Sequence, residues 1–223
     1  MTPGTPNSPS SPTLITAIAE GALLLAALLA VPTIVLSDYE VFTYGISEYS
    51  LTETLQALLL LFTTAIFWLC WWREPSCRGF LAWPAGLFSV MLVREMDHFL
   101  DHIFHGAWLY FALAVLAVSV ALGWRGRAQF RAGLQRYLVR QAHAYILIGL
   151  VLVIAFSRVF GSGGFINAIL GEAHIPTLKT FIQEGLELAG YIILAWGALR
   201  YRVDSQPRGT PPVVGDLAGT EPD

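Results

Sequence analysis

Lysine is almost missing from this chain. Lys179 is the single lysine among 223 residues, and all charged residues together make up 13% of the sequence. An average soluble domain carries about 25%, so the charge needed to solvate a soluble surface is not there. The thirteen basic residues are outnumbered by sixteen acidic ones, giving a net charge of −3. That balance removes the broad positive field a nucleic-acid partner requires, and no nucleic acid is expected. Cysteine is limited to Cys70 and Cys77; both flank the arginine-rich side, a reducing compartment in most cells, so no disulfide is expected. The first apolar run has no basic stretch before it and no small-residue cleavage site after it, so it reads as a retained helix and not as a signal peptide. No internal repeat of useful period is present.

What the chain does have is apolar sequence, 55% of it, with a mean hydropathy of +0.59. Crossing a bilayer takes about 20 mostly apolar residues per helix. Six runs meet that length, at about 14–36, 51–72, 79–103, 107–124, 142–160 and 180–199. The expected fold is all-α, a polytopic integral membrane protein with one six-helix domain over 14–202. The flanking segments 1–13 and 203–223 are rich in Pro, Gly, Ser and Thr and are expected to be disordered tails.

Basic residues collect in cytoplasmic loops. Arg73, Arg78, Arg125, Arg127, Arg131, Arg136, Arg140, Arg200, Arg202 and Arg208 all follow the second, fourth or sixth run, which puts ten of the thirteen on one side. Both termini are therefore expected in the cytoplasm. Six of the seven tryptophans fall near the same helix ends, where indole rings favour the interface. The strong bias to arginine suggests a GC-rich bacterial genome and hence an inner membrane. Between the fourth and fifth runs, GRAQFRAGLQRYLVRQ interleaves arginines with Phe130, Leu134, Tyr137 and Leu138. Such a segment reads equally as an amphipathic surface helix and as an ordinary positive loop.

Against this background one stretch stands out, REMDHFLDHIFH at residues 94–105, with seven ionisable side chains in twelve positions. A charge at the centre of a bilayer costs about 2.5–3.5 kcal/mol on insertion scales, so these groups must face a protein interior or a polar mouth. On a continuous helix His98, His102, His105, Arg94, Glu95 and Asp101 share one face, with Asp97 turned toward a loop or the headgroups. Glu53, Gln56, Thr63 and Thr64 form a polar stripe on the second run, and Lys179, Glu184, Glu187 and Tyr191 open the sixth. Glu172 and His174 lie in the preceding loop.

Five carboxylates, those of Glu53, Glu95, Asp101, Glu184 and Glu187, stand against the one fixed charge of Arg94. A converging set of that kind must take up protons, pair with Lys179 or bind a cation. Histidines with carboxylates are ligand types for Zn²⁺, Fe or Mn, and helical bundles build such sites from facing helices. The expected metal ligands are His98, His102, His105, Glu184 and Glu187; the expected catalytic groups are Glu53, Arg94 and Asp101. HExxH is absent, so no zinc-protease signature is present.

These residues suit a metal-dependent hydrolase acting on a lipid-like ester or amide, with membrane lipid as its environment. The same cluster also suits a proton- or ion-coupled transporter component, or an assembly protein in which it only fixes helix packing. Elsewhere, Arg158 is expected to anchor in headgroups or to serve as an extra counter-ion for the cluster, and Glu20 to snorkel to the interface or pair with His143.

Overall fold

The computed structural model describes residues 14–41, 50–162, 164, 165, 168 and 176–205. Among them there is no strand, and the helices in chain order are α1 (Leu14–Val41), α2 (Leu51–Arg73), α3 (Arg78–Glu95), α4 (Asp97–Asp101), α5 (Ala107–Arg125), α6 (Arg127–Val139), α7 (Ala142–Val151), α8 (Ser157–Phe160) and α9 (Pro176–Ser205). A 3₁₀ turn over Pro75–Cys77 leads into α3, and a π segment over Leu152–Phe156 joins α7 to α8. Five stretches, Leu14–Asp38, Leu51–Arg73, Pro75–Glu95, Ala107–Arg125 and Ala142–Phe160, are long and apolar enough to cross a membrane. At 1.5 Å per residue, the 23 residues of α2 extend about 35 Å, enough for a hydrocarbon core of about 30 Å.

The helices run alternately up and down between two ends. One end carries the arginines at the termini of α2, α5 and α9; the other carries REMDHFLDHIFH. α9 packs against α1, α2 and α7, while α3 packs against α2, α5 and α6. On α2 the inward face is Thr52, Gln56, Leu60, Thr63, Thr64, Phe67 and Cys70, a helical spacing that turns one stripe to the bundle. Leu60, Phe67, Leu81, Phe88, Leu188 and Leu194 fill the middle and exclude water from it. Phe67 stands 5.2 Å from Phe88 and 5.7 Å from Tyr201, ring centre to ring centre. Apolar side chains such as Leu23, Leu58, Leu113, Leu147 and Ile154 point outward, as lipid-facing residues do.

Small residues set how closely the helices approach, the usual device where lipid supplies no hydrophobic drive between them. α3 meets α5 at Gly86 and Ser119, where an added methyl would collide with the serine side chain. α7 meets α9 at Gly149, where a methyl would sit 2.6 Å from Leu194. Pro32 and Pro84 lie inside α1 and α3 without ending them, as is common where neighbouring helices hold the backbone.

At the arginine end, α6 is a helix and not a plain loop. Its Phe130 and Tyr137 rings pack 5.9 and 5.0 Å from Phe80, and Gly133 is buried beneath them. Burial there pushes the Tyr137 phenol from an ordinary value of 10.0 up to about 12. Glu20 pairs with Arg200 of α9, which holds the first helix to the last; His143 instead donates from Nδ1 to the Arg140 carbonyl at 2.6 Å. Cys70 and Cys77 are both buried and free.

Candidate functional site at the histidine end

The N-terminus of α2 is where the site begins. Ser50 caps it, its hydroxyl accepting from the Glu53 amide at 3.0 Å. Asp38, near the end of α1, completes the cap: its carboxylate accepts from the Leu51 amide at 3.0 Å, the Thr52 amide at 2.7 Å and the Thr52 hydroxyl. Three donors on one buried carboxylate satisfy amides that a helix start leaves open. Glu53, in the first turn, is thereby held with its side chain exposed on the α3 side of α2.

α3 stops at Glu95. Met96, at φ −93 and ψ 16, leaves the helical region and the chain restarts as the five-residue α4. This break changes the expected arrangement, which rested on one helix running through to residue 103. Arg94, Glu95, Asp97 and His98 stay together around the break. They line a pocket of about 430 Å³ with Glu53, Thr54, Ala57, Leu58, Leu61, Leu92, Met96 and Phe99. Asp97, expected to face a loop or the headgroups, is thus a pocket wall.

The other two histidines do not line the pocket. His102 folds back on α4, Nδ1 2.9 Å from the His98 carbonyl, with its ring 5.0 Å from that of His98. His105 is fully exposed and pairs with Asp101 at 3.3 Å, and Asp101 also accepts from the Gly106 amide at 2.9 Å. Gly106 has φ 80, a left-handed conformation that glycine takes without strain. Asp101 and His105 therefore close the turn into α5, the only role their contacts show.

Behind the pocket, α9 supplies a second polar layer. Tyr191 donates to Glu95 at 3.2 Å, and Gln56 donates to the Glu184 carbonyl at 3.3 Å. Glu187, buried, accepts from Gln183 at 3.2 Å and pairs with Arg158 at 3.8 Å. Arg158, half exposed, is thus a counter-charge for the buried Glu187. Of these carboxylates, that of Glu95 meets Tyr191 and that of Glu187 meets Arg158 and Gln183.

Among the described residues, no group of three or more His, Cys, Asp or Glu is arranged to hold a metal ion. The five expected ligands divide between pocket, turn and back layer, so the donor set does not fit a Zn²⁺, Fe or Mn centre. Glu172 and His174 lie outside the described residues.

Asp38 and Gln183 escaped the sequence reading. Asp38 had a usable signal, an aspartate closing an apolar run with a Ser-x-x-Glu helix start following it. No protein-family model, curated protein or solved structure matches the chain.

Proposed function

We propose that the pocket between α2 and α3 receives a membrane amphiphile and that the protein hydrolyses an ester or amide bond in it. The observation that carries this reading is the composition of the pocket wall. Ala57, Leu58, Leu61, Leu92 and Phe99 offer an apolar side, and Glu53, Arg94, Glu95, Asp97 and His98 offer an ionisable one. Leu58 and Leu61 also face outward from the bundle, so an acyl chain can enter from lipid while its polar group meets the charged rim.

The chemistry asks for few parts. Glu53 takes a proton from water as the oxygen attacks the carbonyl carbon. Arg94 faces the negative charge that develops on the carbonyl oxygen, the kind of fixed electrostatic help that acyl transfer depends on. Collapse of the adduct breaks the bond to the alcohol or amine, which leaves with the proton held on Glu53. His98 lines the same pocket wall as Glu53. Asp101 is left out of this scheme because the Gly106 amide and His105 already engage it, and no step runs through a metal.

The same proposal makes α9 a sixth span with both termini cytoplasmic, in a bacterial inner membrane. Its support is the clustering of arginines at one end and the apolar stretch of α9 beyond Glu187. A transport path is disfavoured by the dry middle layer of Leu60, Phe67, Phe88 and Leu194.

The test is turnover of fluorogenic acyl esters and acyl amides by the full chain in nanodiscs. Glu53→Gln should lower the rate by about 10²–10⁴-fold, the usual contribution of a general base, and EDTA should leave wild-type turnover unchanged. A wild-type rate equal to that of Glu53→Gln contradicts hydrolysis at this pocket.

A further inference from the structure

α6 crosses the arginine end at the level where α2, α3, α5 and α7 begin or stop. Its inner face is fixed: Phe130, Leu134 and Tyr137 pack on the core, and a methyl on Gly133 would lie 2.7 Å from the Phe80 side chain. The helix therefore cannot lift into water. Its outer face must lie wherever the spans reach the membrane surface.

The arginines of this end fall into two sets. Arg78 donates to the Trp71 and Trp72 carbonyls, Arg136 to the Ser76 hydroxyl, and Arg140 and Arg200 pair with Glu74 and Glu20. Arg125, Arg127 and Arg131 are exposed, and none has a carboxylate partner among the described residues. These three occupy one corner, within seven residues of sequence. Arg127 lies over the Trp124 ring, 5.6 Å from its centre, and that tryptophan is 67% exposed. Val139, closing α6, is 88% exposed, and Leu138 and Trp72 are exposed as well. Bare charge beside bare apolar surface suits neither water nor hydrocarbon alone; it suits the layer between them.

We propose that Arg125, Arg127 and Arg131 bind the phosphate groups of anionic phospholipid, with Trp124 seated among the headgroups beside them. Guanidinium forks match phosphate oxygens in pairs, and basic side chains at a membrane surface draw acidic lipid. A free polyanion would use the same charges and leave Trp124 and Val139 without a partner.

The experiment uses the full chain in nanodiscs of equal phosphatidylglycerol and phosphatidylcholine, with lipid retained on the protein read by native mass spectrometry. Wild type should hold phosphatidylglycerol over phosphatidylcholine on the order of tenfold. The triple variant Arg125→Gln, Arg127→Gln, Arg131→Gln should lose most of that preference, and the corresponding triple lysine variant should keep about half or more. If the glutamine triple fails to fold, single Arg131→Gln and wild type at about 0.5 M salt should each show a reduced preference. Equal retention of both lipids by wild type, or an unchanged preference in a folded glutamine triple, overturns the proposal. So does capture of soluble heparin through these arginines without any preference between the two lipids.

Discussion

Glu74 and Arg140 face each other at 3.8 Å with side chains only 16% and 18% exposed, and Arg140 also lies 4.4 Å from the centre of the Tyr201 ring. Removing one member of such a pair strands the other charge in a poor solvent, at a cost of about 3–5 kcal/mol. Arg140→Met should therefore lower the unfolding midpoint strongly, and Glu74→Gln together with Arg140→Met should recover part of the loss; thermal melts in one detergent read both. Tyr137 supplies a second residue-scale expectation. Its phenol keeps a proton to about pH 12 when folded and releases it near 10.0 when unfolded. Stability from this group is thus complete below pH 10.0 and is lost as pH rises toward 12. Tyr137→Phe should make the alkaline loss of stability shallower. Which single residues would pair was legible only in part: a charged face was visible, but Arg158 with Glu187 and Glu20 with Arg200 depend on how α7 through α9 and α1 pack. No local pattern encodes that.

At the scale of elements, apolar run length located most of the helices, because twenty apolar residues in a row have few alternatives. Periodicity then failed at one place. A helical wheel assumes an unbroken helix, and the backbone leaves that geometry at Met96, so Arg94 and Glu95 no longer share one wheel with His98, His102 and His105. Nothing in REMDHFLDHIFH announces the break; there is no Pro or Gly within it. The α3 and α5 pairing makes the sharper element-scale test. Gly86→Leu would force a side chain into Ser119, and overpacking of that kind costs about 1–3 kcal/mol. A lower unfolding midpoint, with Leu87→Ala on the exposed side nearly unchanged, is the expected outcome; equal effects of the two would mean that the close approach is not needed.

For the whole molecule, scarce charge and abundant apolar sequence were enough to indicate a helical membrane protein. Position of the polar site was legible as well, because ionisable residues on three separate runs fell at the same end. Its composition was not: Glu187 pairs with Arg158, Glu95 accepts from Tyr191, and only His98 of the three histidines lines the pocket. The central claim is that a membrane amphiphile occupies the pocket between α2 and α3. Photo-crosslinking in nanodiscs tests it most directly, using a lipid with a diazirine in its acyl chain and mapping the adducts by mass spectrometry. Adducts should concentrate on the segments bearing Leu58, Leu61, Leu92 and Phe99, and Leu61→Trp, which fills the pocket, should remove most of them. Adducts spread evenly over the lipid-facing sides of all helices, or undiminished by Leu61→Trp, would contradict it.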